Sequence, residues 1–282
     1  MNGFRAGYLE IEPRELVRYL LRESGQFERE SVNPADLLHL LCLECVSFSF
    51  ELELPDDAKA TVGGARPRAL ISFPDRLVAI DSALKDTRAR FSALHEIAHF
   101  VLPNHEHALY ICDDVGLSDR ARLSFEREAN DFAADLLFLG DRFSLEANSR
   151  AICAATIKHL AEKYLASYEA TARRFVEKNF RPCMLVTFEQ ETTETRVDLD
   201  QQASWSVKYC VASAPFKTRC FERVRGIVPT EVVAVVAQPG RDIADGHVVD
   251  LSVECSSPTR ECPFQAEFFF NQYNIFCLLT PK

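Results

Sequence analysis

His95-Glu96-Ile97-Ala98-His99 gathers two imidazoles and one carboxylate in a single short run. On a helix, residues four apart lie one above the other, so His95 and His99 can grip one divalent ion. Glu96, about 100° round the axis, faces a water beside that ion and can take its proton. Such a constellation hydrolyses a bond with an activated water. With 7 His in 282 residues, chance would supply the pattern roughly 0.015 times per chain. The plainer alternative is a helix carrying two solvated or core histidines.

The surrounding residues predict the helix this chemistry needs. Asp86 or Thr87 is its expected N-cap, Phe91, Leu94, Ala98 and Val101 recur at helical spacing as a buried stripe, and Pro103 ends it. His95, Glu96 and His99 fall beside that stripe, where a cleft-lining site belongs. Catalytic zinc takes three protein ligands and keeps one position open, so a third donor must come from another element. The best second helix runs from Ser118, as N-cap, to Leu139, with Gly140 at its C-terminal cap. Its apolar stripe is Phe125, Ala129, Phe132, Ala133, Leu136 and Leu137. Glu126 lies about 70° from the centre of the stripe and Glu128 about 90° on the other side, so helix geometry allows either and weakly prefers Glu126.

Three runs resemble the ImmA/IrrE family of zinc metallopeptidases: Arg76 to Asp81, Arg90 to Pro103 around the two histidines, and Glu126 to Leu137. The resemblance implies a zincin-like metallopeptidase domain in which Glu126, four residues before Asn130, is the third ligand. It implies one Zn2+ per chain on His95, His99 and Glu126, with Glu96 as the proton-transfer group; Mn2+ or Fe2+ also suits these donors. It further implies a protein substrate, typically a helix-turn-helix transcriptional repressor, cleaved to relieve repression in a stress or mobile-element response. One departure is visible. Family members commonly end the third run Met-Pro, whereas this chain reads Phe138-Leu139-Gly140, which alters the helix exit and leaves the ligands in place. His105, His107 and Tyr110 follow the first motif and are candidates to stabilise an oxyanion, but nothing in their spacing selects one.

A peptidase must also hold an extended substrate. Arg68 to Ile80 reads as strand, turn, strand, and an exposed edge there could pair with a peptide backbone. Upstream, Pro13 to Glu23 and Pro34 to Cys45 are predicted helices and Val46 to Leu54 a predicted strand. Residues 1–140 are therefore expected to form an α+β metallopeptidase domain.

The pattern then changes. Residues 141–181 predict short helices, with Ala155 to Tyr164 and Tyr168 to Lys178 separated by Leu165-Ala166 and Ser167 capping the second. This helix-turn-helix-like segment is locally basic, which makes Arg173 and Arg174 candidate contacts to DNA or to a protein partner. Residues 182–282 alternate like sheet, with strands expected at Cys183 to Phe188, Trp205 to Val211, Val232 to Ala237, Val248 to Glu254, Gln265 to Phe270 and Tyr273 to Leu279. No catalytic motif falls in that β-rich domain, which suits a sensor or docking module, or a packing domain.

Composition bounds the remaining classes. With 47% hydrophobic and 26% charged residues the chain is ordinary for a globular protein, and its net charge of −10 disfavours non-specific binding to nucleic acid or anionic membrane. No apolar stretch is long enough to cross a membrane and the N-terminus lacks signal-peptide character, so a cytoplasmic location without a membrane partner is expected. The 10 cysteines are scattered, which favours free thiols, Cys42-x-x-Cys45 included. The leading expectation is a zinc endopeptidase. The alternative is a DNA- or ligand-binding transcriptional regulator with a peptidase-like domain.

Overall fold

The computed structural model describes residues 11–49, 68–106, 119–190, 205–220, 232, 235–236, 242–254 and 261–282. Ser118, His107, Tyr110 and residues 50–54 of the expected strand lie outside them. Two compact units emerge: Met1–Phe143 with Tyr164–Ala166, and Ser144–Lys163 with Ser167–Lys282. The architecture is α+β.

In the first unit, α1 (Pro13–Glu23) and α2 (Pro34–Leu40) each begin on proline, whose missing N–H is unneeded in the first turn. Asn33 caps α2 by accepting from the Ala35 N–H at 3.1 Å. The helix expected to reach Cys45 stops at Leu40, because Cys42 turns left-handed (φ 51°) and Glu44 opens a strand. Arg76 holds that turn: its guanidinium donates to the Cys42 carbonyl at 3.0 Å and to the Leu41 carbonyl, and lies over the Phe100 ring. Strands β1 (Glu44–Phe48), β2 (Ala69–Ser72) and β3 (Leu77–Asp81) form a sheet in the order β1-β3-β2. The expected hairpin is present, with Ala69 opposite Ile80 and Ser72 opposite Leu77, and β2 lies at an edge.

Two longer helices follow, α3 (Asp86–Val101) and α4 (Asp119–Leu137), and they pack on each other. The N-cap of α3 is Lys85 and neither Asp86 nor Thr87; Asp86 sits inside the first turn, where its charge complements the helix dipole. Leu94, Ile97, Ala98 and Val101 of α3 are buried, as are Ala129, Phe132, Ala133, Leu136 and Leu137 of α4. The exit of α4 is a paired turn in which the Gly140 N–H donates to the Asp135 carbonyl and the Leu139 N–H to that of Leu136. Leu139, at φ 53°, takes the left-handed position, a strained choice for a branched side chain that its complete burial offsets.

In the second unit, α5 (Asp141–Asn148, shared with the first), α6 (Ala154–Tyr164) and α7 (Tyr168–Glu177) precede the sheet. Leu165 at φ 51° makes the break between α6 and α7, and the Ser167 hydroxyl accepts from the Ala170 N–H at 3.2 Å as the expected cap. Strands β4 (Met184–Gln190), β5 (Trp205–Ala212), β6 (His247–Glu254), β7 (Glu261–Phe270) and β8 (Asn274–Pro281), with helix α8 (Ala214–Cys220), build an antiparallel sheet ordered β5-β4-β8-β7-β6. Every second residue of three strands, such as Val186, Phe268 and Cys277, packs into one core with Phe216 of α8. Within the strand expected at Val232 to Ala237, the described residues Val232, Val235 and Val236 are helical instead, and their spacing puts all three on one helix face. The described cysteines Cys42, Cys45, Cys153, Cys183, Cys210 and Cys277 carry free thiols. Among the described residues no helix is long and apolar enough to cross a membrane.

Candidate metal centre

Helix α3 presents His95 and His99 one turn apart and α4 brings Glu126 against them. The two Nε2 atoms lie 3.0 Å from each other. His95 Nε2 is 3.3 Å from Glu126 Oε2, and His99 Nε2 is 3.6 Å from Glu126 Oε1. These three residues form a group whose donor atoms all fall within 4.8 Å of one another.

A geometric test asks whether a cation would fit. Tetrahedral zinc with bonds of about 2.0–2.1 Å places neighbouring donor atoms about 3.3 Å apart. The observed separations of 3.0, 3.3 and 3.6 Å bracket that figure. The donor set of two neutral imidazoles and one carboxylate also suits zinc. The residues fit the ion.

Electrostatics follow from burial. The Glu96 side chain is 7% exposed, and burial pushes its carboxyl up to about 7; the His95 charge opposes the rise and the Glu126 charge adds to it. Burial likewise lowers His99, which the His95 charge lowers further. At His95 burial works against protonation, but the hydrogen bond and charge of Glu126 and the charge of Glu96 outweigh it and raise the pKa. Glu126 is 42% exposed, so the centre opens to solvent on the α4 side.

Glu128 takes no part in that cluster. It lies 3.4 Å from His105 Nε2 instead, and His105 Nδ1 is 2.9 Å from His99 Nδ1. The sequence left His105 unassigned among three loop residues. Pro103 and Asn104 were the available signal: the residue before proline is extended, with Leu102 at ψ 138°, and Asn104 turns left-handed at φ 67°. That reversal carries His105 under His99.

The residues expected to touch DNA or a partner stand in the second unit. Arg173 is exposed and its Nε bonds Glu177 at 2.8 Å, while Arg174 is buried at 7% exposure. Other cations of the segment are engaged too, with Arg150 and Lys163 on Glu146 and Lys158 on Asp242.

Two packed helices bring two imidazoles and a carboxylate together beside a small mixed sheet, an α+β arrangement with one candidate metal centre among the described residues. Residues 52–176 match the IrrE N-terminal-like domain of peptidase family M78. That stretch of the chain therefore carries an IrrE-like peptidase domain. No curated protein matches the sequence. The fold is similar to that of a solved Mycobacterium tuberculosis transcriptional regulator, with a TM-score of 0.55 at 16% identity over 99% of this chain and 78% of that one.

Proposed function

We propose that this chain is a zinc-dependent endopeptidase that hydrolyses a peptide bond in a regulatory protein, with a helix-turn-helix transcriptional repressor as the expected substrate. Relief of repression in a stress or mobile-element response is the expected outcome. The observation that supports this reading is the convergence of His95, His99 and Glu126 at separations suited to one tetrahedral ion, with Glu96 buried next to them.

A zinc ion on those three residues supplies Lewis acidity and brings the pKa of a water down towards 7. Glu96 accepts a proton from the attacking water as the new C–O bond forms. It then delivers that proton to the amide nitrogen as the C–N bond breaks, leaving a carboxylic acid and an amine. A carboxylate buried beside the two imidazoles is placed to serve both halves of that transfer. The β2 edge is suited to bind an extended substrate by strand addition, and the exposed Leu70 lies on it.

Within this reading residues 1–140 carry the peptidase function, residues 141–181 form the helical segment, and residues 182–282 serve as a docking or sensor module. The engaged cations of the helical segment favour a protein partner over DNA. The description of the Mycobacterium tuberculosis neighbour as a transcriptional regulator suits a role in gene control. A cytoplasmic site of action follows from such a substrate.

The test combines elemental analysis with proteolysis of a candidate repressor. Wild type is expected to hold one zinc per chain and to cleave. Glu96→Gln is expected to keep the zinc and lose about 10²–10⁴-fold in rate. A purified wild type that takes up no zinc, or a Glu96→Gln variant that cleaves at the native rate, overturns the proposal.

A further inference from the structure

His105 is fully buried, and a buried imidazole calls for a partner on each nitrogen. Both nitrogens have one. Nδ1 is 2.9 Å from His99 Nδ1, and Nε2 is 3.4 Å from Glu128 Oε2. The Phe125 ring meets the imidazole edge-on, with centroids 4.9 Å apart, so the ring is clamped as well as bonded. The left-handed Asn104 turn and two positions of α4, Phe125 and Glu128, therefore converge on a histidine that touches the ligand His99 without belonging to the donor group.

We propose that His105 and Glu128 are positioning residues that hold the His99 ring in the one tautomer and orientation able to ligate through Nε2. The inference rests on the metal site assigned above. A histidine that offers its Nε2 lone pair to a cation carries its proton on Nδ1. That Nδ1–H must donate to His105 Nδ1, which must accept and so carries no proton. His105 is then protonated on Nε2, and that N–H points at the Glu128 carboxylate. Each hydrogen bond has one allowed direction. The chain begins at an acceptor-only carboxylate and ends with electron density pushed onto the His99 ring, which raises its basicity as a ligand.

The two carboxylates of α4 thus divide the work. Glu126, on one flank of the buried stripe, faces the nitrogens that would meet the ion, and Glu128, on the other flank, reaches the ligand from behind through His105. Glu128 is 46% exposed, so its removal leaves the core of the unit untouched.

The experiment measures zinc affinity of the full chain by competition with a chromogenic chelator, beside thermal unfolding of the zinc-free protein. His105→Phe keeps the bulk against Phe125 and removes both nitrogens; it is expected to weaken zinc binding about 10–100-fold. His105→Gln, whose amide can accept from His99 and donate to Glu128, is expected to recover part of that loss. Glu128→Ala is expected to weaken binding by less than His105→Phe, with the zinc-free unfolding temperature unchanged. Nitrogen-15 imidazole spectra of the zinc-loaded wild type are expected to show His99 protonated on Nδ1 and His105 on Nε2. A folded His105→Phe that binds zinc as tightly as wild type overturns the inference. So does a His105 protonated on Nδ1, which decides the matter even if His105→Phe fails to fold. Failure of the wild type to bind zinc at all strikes the metal site instead, and the two failures are thereby told apart.

Discussion

The two units bury polar side chains in contrasting ways. In the second, Ser213 is buried and its hydroxyl donates to the Arg181 carbonyl at 2.9 Å while accepting from the Cys183 N–H at 3.0 Å and the Phe216 N–H at 3.3 Å. Asn148 does the same between α5 and the end of α7, donating to the Ser144 and Lys178 carbonyls and accepting from the Phe180 N–H. These side chains serve the backbone, finishing hydrogen bonds that helix ends and turns leave open. In the first unit Glu96, His99 and His105 are buried against one another and against acids of α4. No helix end or strand needs them there, and burying ionisable groups opposes folding unless something pairs with them. Buried polar atoms that answer to the main chain are scaffolding. Buried polar atoms that answer to one another mark the place where chemistry is prepared.

Breaking the contrast at its centre should have the largest effect. His99→Ala is expected to abolish stoichiometric zinc, measured by elemental analysis, a greater loss than the about 10–100-fold set by an outer partner. The zinc-free fold should be weakened by about 1–3 kcal/mol, since the buried His105 Nδ1 loses its partner. Core truncations come next. Phe268→Ala, which empties the centre of the five-stranded sheet, is expected to cost about 3–5 kcal/mol and to leave zinc content unchanged. Ile97→Ala, at the buried stripe of α3, is expected to cost about 2–5 kcal/mol and to weaken zinc binding too. Urea titration followed with and without the metal separates the two.

Smaller effects test the scaffolding half. Ser213→Ala strips one hydroxyl from three backbone groups and is expected to cost about 1–3 kcal/mol, with no change in zinc affinity. The smallest is a pH effect. Burial pushes the Tyr209 phenol from its ordinary value of 10 up to about 12, with the neighbouring Thr187 opposing the rise. The folded state keeps the phenol neutral where the unfolded chain would ionise it, so stability present below pH 10 is lost as pH climbs from about 10 to about 12. Tyr209→Phe is expected to make the urea midpoint fall less steeply across that window.

Much of this was legible in the residues themselves. Most of both stripes is correctly read from 3.6-residue spacing, with Leu94, Ala98 and Val101 of α3 and Ala129, Phe132, Ala133, Leu136 and Leu137 of α4 buried. Phe91 and Phe125 are only partly covered, however, and α3 is buried round most of its circumference from Ser92 onward. The Ser167 cap and the hairpin ahead of α3 are equally local. Angle separated Glu126 from Glu128 only weakly, since α4 turns both flanks of its stripe towards polar groups, and the path of the chain after Pro103 decides which group each meets. The overlong α2 failed for a related reason. Propensity favoured helix through Cys45, but pairing of Glu44 with Leu77 and the Arg76 bonds to the preceding carbonyls are tertiary and override it. Val232 to Ala237 was misread because β-branched residues suggest strand, although Val232, Val235 and Val236 already carried helical spacing.

The left-handed exit at Leu139 reaches further than its own turn. Anchored there, α4 is a rod whose axial register is locked at one end, and the Glu126 carboxylate sits roughly 20 Å up that rod at about 1.5 Å per residue. Replacing Leu139 with a residue that neither fills the pocket nor holds the turn would let the rod creep lengthwise. A small slip would carry an oxygen out of coordinating range, so a remote packing defect would be felt as a fault of metal capture.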